Sequence, residues 1–415
     1  MLVIYRILIN LIFILSPIII ILRILKKKED PKRFKEKLCS FSKKRGNGKI
    51  IWFHGASVGE IKSIIPLIEK FEKEKKIFKI LVTSNTLSSS KIFKQLKLKK
   101  TIHQFFPIDT NFLSKKFLNY WKPSLALFVD SEIWPNMFFN LKKAEIPVVL
   151  VNGRITKKTF SRWNLIPSFS KKIFNIFDLC LSSSKETKKF LTILGAKKIK
   201  SFGNLKFSQS ENEIIEINTH LKNFFKSKKV WCASSTHEPE EVFCGRLHVE
   251  LKKKYKNLIT IIIPRHIERV NQIKSHLNEL KLNVHTHESK RKPNYNTDIY
   301  IVDTYGKTKS FFNYCKTVFL GGSLVNHGGQ NPLEAAQYGC NIIHGSSVYN
   351  FGEIYNFLKI NKISNKISNI KEMYNLLDKL LIKKNNQKKI QKKINIIGQN
   401  ILKSTYQEIN FLLKK

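Results

Sequence analysis

Three segments of this sequence carry side chains whose types and spacing could do chemistry. In His54-Gly-Ala-Ser-Val-Gly-Glu60, small residues follow an apolar run and lead to a carboxylate. Small residues at a strand end let a substrate approach the backbone, Ser57 and Gly59 leave room, and Glu60 supplies a base. A carboxylate near a helix start is held ionised by the partial positive charge there, as a general base requires. Read alone, Glu60 is as readily a favourable first-turn acid. Asp130-Ser-Glu-Ile-Trp-Pro-Asn136 brings two acids and Trp134 to the end of a second apolar run. Asp130 and Glu132 have the spacing of the D-x-D metal loops of some sugar transferases, a spacing that also recurs by chance, so Glu132 reads better as a hydrogen-bonding or charge-pairing residue. Gly321-Gly-Ser323 and Gly328-Gly-Gln-Asn-Pro-Leu-Glu334 outline an anion cradle. Backbone N–H groups of Gly321, Gly322 and Ser323 and of the helix start near Asn331 can hold a phosphate, and Glu334 can take ribose hydroxyls. The alternative is that the glycines only make turns. The pattern is neither the dinucleotide fingerprint nor the P-loop.

Three more loops add cations and hydroxyls: Gly203-Asn-Leu-Lys206, Ser234-Ser-Thr-His-Glu238 and Pro264-Arg-His266. Lys206 and Arg265 suit a phosphate and a sugar carboxylate, or are solvated surface charges. Ser235 belongs to the same set, while His237 and His266 read first as hydrogen-bonded structural histidines. What unites these residues is position. Each group follows a short apolar run: 49–54, 78–83, 125–129, 148–151 and 179–182 in the first half, then 229–233, 258–263, 298–302, 317–320 and 341–343 in the second. Helix-like stretches separate the runs; Ile61, Ile64, Ile65, Ile68 and Phe71 recur at helical spacing. Strands alternating with helices imply an α/β fold with parallel sheets covered on both faces. Ligands bind beyond the carboxyl ends of such strands, so two facing domains predict a site in the cleft between them. The expected division is a membrane segment at 1–25, a first domain at 26–207, a polar linker at 208–228 and a second domain at 229–415 that includes a helical tail.

Length agrees, since 415 residues give room for two domains at about 150 residues each. With 42% hydrophobic residues the chain can fill two cores. The 75 Lys and Arg against 30 Asp and Glu leave a net charge of +45, a field that favours nucleic acid, anionic lipid or small phosphorylated and carboxylated molecules. The lysines are spread along the chain, so the charge alone does not choose. Six cysteines without a C-x-x-C pair indicate a reducing compartment, with Cys180, Cys232 and Cys315 as small buried hydrophobes. Residues 7–22 are almost unbroken apolar between Arg6 and Arg23, Lys26, Lys27 and Lys28. No small-residue cleavage site follows. The segment therefore reads as an uncleaved anchor, with the remainder on the cytoplasmic side by its basic flank.

Together these residues resemble the Kdo transferases of lipopolysaccharide biosynthesis, which add 3-deoxy-D-manno-octulosonic acid (Kdo) to the lipid A precursor of Gram-negative bacteria. The resemblance rests on WFHGASVGE at 52–60, SEIWPN at 131–136, GNLKF at 203–207, ASSTHEPEE at 233–241, PRHIER at 264–269 and GGSLVNHGGQNPLE at 321–334. It implies a GT-B glycosyltransferase of two Rossmann-like domains, bound to the inner membrane and its phospholipid on the cytoplasmic face. It also implies CMP-Kdo as donor, the lipid A precursor lipid IVA as acceptor, inversion at the anomeric carbon, and no metal or other cofactor. Glu60 falls on the family's catalytic base, Glu132 on its second functional acid and Lys206 on its functional lysine. Ser235, Arg265, Gly322, Ser323, Asn331 and Glu334 fall on its nucleotide loops. Gln330 stands where the family has His, and Asp130 where it usually has Glu. The rival expectations are a GT-B transferase of the cell envelope using a UDP-sugar, and a membrane-tethered nucleic-acid-binding protein.

Overall fold

The computed structural model describes residues 1–96, 98–209, 217–289, 292–383 and 386–414. The chain forms two compact units, Met1–Gln209 with Ile397–Lys415, and Ser210–Ile396. The expected domain of 229–415 thus lacks its last stretch, which groups with the first unit. Of the expected linker at 208–228, residues 210–216 lie outside the described residues, and Thr219–Lys226 is a helix.

The first unit is built on β1 (Ile50–His54), β2 (Lys79–Ser84), β3 (Thr101–Phe105), β4 (Leu125–Val129), β5 (Val148–Gly153), β6 (Leu179–Ser182) and β7 (Ile199–Ser201). These strands form one sheet in the order β3-β2-β1-β4-β5-β6-β7, and every pairing is parallel. Strands β1, β4, β5 and β6 are buried at every position, which is why their sequences read as continuous apolar runs. One layer of the core joins Trp52, Phe117, Trp121, Phe128, Phe138 and Phe174. The order reverses at β1, which lies between β2 and β4. At such a switch point two consecutive loops diverge and leave a crevice at the carboxyl ends of the strands.

The second unit repeats the plan with β8 (Lys229–Thr236), β9 (Leu258–Pro264), β10 (Val284–Thr286), β11 (Ile299–Ile301), β12 (Thr317–Leu320), β13 (Asn341–His344) and β14 (Ser364–Lys366). Its order is β10-β11-β9-β8-β12-β13-β14, again parallel throughout. Its switch point lies at β8, between β9 and β12. At the start of the first unit, the helix Leu2–Leu25 is long and apolar enough to cross a membrane and leaves most of its large side chains exposed. All six cysteines are free and buried, as expected for Cys180, Cys232 and Cys315.

Candidate active site

At the switch point of the first sheet, β1 delivers its chain into a tight loop and the helix Val58–Glu72. Ser57 caps that helix by accepting the Glu60 N–H at 3.3 Å, and its hydroxyl donates to Glu60 Oε1 at 2.7 Å. Glu60 Oε2 accepts the Ala56 N–H at 2.8 Å. The carboxylate is therefore held in one position by both oxygens, each with a further lone pair to spare. Its pKa is raised, chiefly by burial and then by the neighbouring Glu132, against the pull of the Ser57 and Ala56 hydrogen bonds and of His54. The helix start was expected to favour the ionised form; in the structure burial acts in the opposite direction and raises the pKa. Beside it, Gly59 faces open space, since a Cβ there would meet only Ser57 Oγ at 4.0 Å.

The loop after β4 begins at Asp130 in the left-handed region, at φ 62°. Its N–H donates to the Val151 carbonyl and its own carbonyl accepts the Arg154 N–H, both at 3.1 Å. This crossing to β5 turns the chain sharply enough to bring Glu132 back toward β1. Glu132 Oε2 accepts the Trp134 indole N–H at 3.1 Å and lies 3.5 Å from His54 Nε2. The same indole N–H points to His54 Nε2 at 3.1 Å, and His54 Nδ1 meets Thr83 Oγ1 at 2.9 Å. A fully buried histidine thus ties β1 and β2 to the acid loop. Asp130 is pushed up to about 6 by burial, which the positive charges of Lys206 and Arg154 oppose and the negative charges of Glu60 and Glu132 reinforce.

Lys206 is presented by the 3-10 turn Leu205–Ser208. Asn204 accepts the Lys206 N–H at 2.9 Å, and the buried Asn152 at the end of β5 accepts the Leu205 N–H at 2.8 Å. Glu60, Glu132 and Lys206, expected from sequence, are therefore joined in one charged cluster. Asp130 and Arg154 belong to it as well. Arg154 directly follows Gly153, the last residue of β5, so the carboxyl-end rule could have found it. His54 and Thr83 close apolar runs and Trp134 was placed with the two acids, but nothing in the sequence indicated that the three bond to one another. Among the described residues, no group of three or more His, Cys, Asp or Glu side chains is arranged to hold a metal ion.

In the second unit, Ser235 sits at φ 56°, where the register of β8 against β9 shifts. The loop after β12 holds a surprise in Glu240, a buried carboxylate that accepts the N–H groups of His237, Gly322, Ser323 and Leu324 at 2.7–3.1 Å. The Gly321 N–H donates to the Ser234 carbonyl at 2.9 Å, and a Cβ on Gly321 would come within 2.5 Å of the Ser235 carbonyl. The Ser323 hydroxyl donates to Leu320 and accepts from the Gly345 N–H. The expectation that these amides cradle a phosphate is corrected, because the Glu240 carboxylate already takes the N–H groups of Gly322 and Ser323 and the Ser234 carbonyl takes that of Gly321. Asn331 accepts the Leu333 N–H at 3.2 Å to start the short helix Leu333–Gln337, whose first turn contains Glu334.

Cationic chemistry lies beside that loop. The rings of His237 and His327 are 4.4 Å apart, and His266 is 5.7 Å from His237. Burial lowers His237 to about 4, helped by His327, His266, Arg265 and Arg269. Its Nε2 is buried with no hydrogen-bond partner among the described residues. Arg265, at the carboxyl end of β9, is exposed beside these rings. The unpartnered ring nitrogen of His237 beside the Arg265 guanidinium is suited to an anion.

Two Rossmann-like parallel sheets, each with its functional groups beyond the carboxyl ends of the strands, define the GT-B class of glycosyltransferases. Solved structures share the architecture: the UDP-GlcNAc 2-epimerase from Neisseria meningitidis aligns with TM-score 0.57 at 15% identity, covering 88% of this chain and 99% of that one. A putative UDP-N-acetylglucosamine 2-epimerase from Listeria monocytogenes aligns at 0.58 and 13% identity, over 86% and 95%. At that identity the likeness concerns the fold alone. The family model for 3-deoxy-D-manno-octulosonic-acid transferase matches residues 32–209. The 3-deoxy-D-manno-octulosonic acid transferase of Rickettsia bellii is 34% identical over 378 residues, 89% of each chain. That of Haemophilus influenzae is 30% identical over 312 residues, 74% of this chain and 73% of its own. The chain belongs to the Kdo transferase family.

Proposed function

We propose that this protein transfers Kdo from CMP-Kdo to the lipid A precursor, lipid IVA, with inversion and without a metal, on the cytoplasmic face of the inner membrane. Glu60 is the general base. The observation that carries this reading is the charged cluster of the first unit, in which a held, desolvated Glu60 stands among Glu132, Asp130 and Lys206. Glu60 takes the proton from an acceptor hydroxyl, the oxygen attacks the anomeric carbon of Kdo, and the bond to CMP breaks as CMP leaves. Burial raises the basicity of Glu60, which suits proton abstraction near neutral pH. Glu132, oriented by Trp134 and His54, positions the acceptor, and Lys206 meets its phosphate or the Kdo carboxylate.

In the second unit, Arg265, Ser235 and the His237, His266 and His327 group receive the nucleotide phosphate and stabilise the charge that develops as it leaves. Asn331 and Glu334 hold the nucleoside side. Gly321, Gly322 and Ser323 act indirectly, through the loop shape that Glu240 maintains. The cytoplasmic placement is supported by Lys26, Lys27 and Lys28 beside the apolar helix, a basic cluster that suits the anionic cytoplasmic leaflet. Incubation with CMP-Kdo and lipid IVA, read by product mass, should show the addition of Kdo, and CMP should protect the protein against thermal unfolding where UDP does not. Protection by UDP alone, with no Kdo product, would overturn the donor assignment.

A further inference from the structure

The helix Leu2–Leu25 rises about 36 Å at 1.5 Å per residue, more than the roughly 30 Å of a bilayer's hydrocarbon core. Length and composition suit a crossing, but the attachments of the helix do not. At its start, the Tyr5 hydroxyl donates to Asp109 at 2.7 Å and Arg6 Nε donates to Asn136 Oδ1 at 2.9 Å. At its end, Arg23 pairs with the buried Glu29 at 3.1 Å, Glu29 pairs with Lys37 at 2.5 Å, and Arg33 donates to the His103 carbonyl on β3 at 2.9 Å. Both ends are thus bonded to the first unit. Arg6 and Arg23 are separated by about 26 Å along the axis, so a crossing helix would carry Tyr5 and Arg6 to the far side of the bilayer, away from Asp109 and Asn136.

The burial pattern agrees. Tyr5, Ile9, Ser16, Ile20 and Arg23 are covered or half-covered, at spacings that place them on one helical face. Ile7, Leu11, Ile14, Ile18 and Ile21 line the opposite face, each more than half exposed. Lys26, Lys27, Lys28 and Lys32 are exposed where the chain leaves the helix. A wholly apolar outer face bordered by a basic cluster is matched by acyl chains bordered by anionic headgroups.

We propose that Leu2–Leu25 lies in the plane of one leaflet, clamped along one face to the first unit and with its opposite face in the acyl chains, instead of crossing the bilayer. The transferase reading above needs only membrane attachment, so this inference goes beyond it. It also links the membrane to the chemistry. Asn136, held by Arg6, lies four residues after Glu132 and donates its N–H to Asp109 at 3.0 Å, so the seated helix is tied to the segment that bears the second acid.

Because the native cysteines are all buried, one introduced thiol can be addressed selectively. Ile7→Cys, Ile14→Cys and Ile21→Cys, seven residues apart along the outer face, would each carry a nitroxide in full-length protein reconstituted into phosphatidylcholine–phosphatidylglycerol vesicles. Collision with oxygen and with a water-soluble nickel chelate reads their depth. One common depth for all three is expected. A profile deepest at residue 14 and shallow at both ends is that of a spanning helix and overturns the proposal. Nitroxides that stay open to water in vesicles, and become protected only when the protein self-associates, would assign the face to a second copy and also overturn it. Should a helix variant fail to fold, a cysteine inserted between Met1 and Leu2, at the end of the helix and not on its outer face, gives an independent reading with a membrane-impermeant maleimide. Labelling from the same face as Lys256→Cys supports the proposal, and labelling from opposite faces overturns it. Neither readout uses sugar transfer, so failure here leaves the transferase reading intact, and failure of that reading leaves this one intact.

Discussion

Glu60 closes the first turn of a helix and is also the proposed base, and substitution separates the two duties. Glu60→Gln keeps an oxygen for one of the two donors but removes the basic carboxylate, so turnover should fall about 10²–10⁴-fold with CMP affinity nearly unchanged. A residue that only completes the turn would cost about 0.3–1 kcal/mol of stability and leave turnover near native, in which case Glu132 becomes the candidate base. The acids also set a pH dependence. Burial raises both Glu60 and Asp130, the latter to about 6, and the ionised form is the working one, so activity is present above that range and lost as pH falls through it. The acid limb of kcat/KM should lie above the ordinary carboxylate range and belong to the cluster as a whole; a limb within that range would mean that the carboxylates behave as solvated groups. Gly59 offers a cleaner contrast. Its helical position has room for a Cβ, so Gly59→Ala should raise stability by about 0.5–1 kcal/mol, and if substrate uses that space kcat/KM falls at the same time. Stabilisation without loss of activity would mean that substrate does not approach there. The acids were legible because each follows an apolar run, and Lys206 because its loop GNLKF matches the family's pattern. The His54–Thr83 bond was not, because it depends on the register of β1 against β2, and Glu240 was missed because its amide partners come 82–84 residues later.

Ten of the strands were legible as apolar runs, and the four that were not, β3, β7, β10 and β14, are the outermost strands of the two sheets. Edge strands are covered on fewer sides, so their patterns are mixed: Thr101–Phe105 is half-exposed at its start, and neither Ile199–Ser201 nor Val284–Thr286 has a fully buried residue. Such segments carry little hydrophobic signal. The last helix, Gln387–Lys414, was foreseen as helical but not as a support for the Lys206 turn. A Cβ on Gly398 would collide with the Phe207 carbonyl, and a Cβ on Gly203, at φ 108°, would come within 2.9 Å of Ile401. The helix therefore sets the height of the turn that presents Lys206. Gly398→Ala should cost about 1–3 kcal/mol by overpacking and lower turnover while CMP affinity holds, whereas Lys403→Ala on the exposed side of the same helix should change neither. A lowered melting temperature with native turnover would show that Lys206 is placed by Asn152 and Asn204 alone.

Across the whole chain, the N-terminal helix is where composition and contacts give different expectations. As a mere tether, residues 1–25 could be removed without effect on the chemistry, and the sequence contains no catalytic motif there to suggest more. The contacts suggest a cost. Deletion takes the Tyr5 hydroxyl from the buried Asp109, which keeps the N–H groups of Asn136 and Met137 at 3.0 and 2.8 Å, and it frees Asn136 from Arg6. One lost hydrogen bond corresponds to about 0.5–1.5 kcal/mol, and each kcal/mol to about 2–4 °C of melting temperature in a unit of this size. Deletion of residues 1–25 should therefore move the protein toward the soluble fraction and lower its melting temperature by a few degrees. CMP binding, proposed for the second unit, should be unchanged, and the KM for detergent-dispersed acceptor should rise because the segment bearing Glu132 is less constrained. Unchanged stability and KM would reduce the helix to a tether. A truncated protein that stays membrane-bound and leaves only in high salt would place the main attachment on the remaining lysines of this +45 chain, whose pull on anionic lipid is screened within about 8 Å at physiological ionic strength.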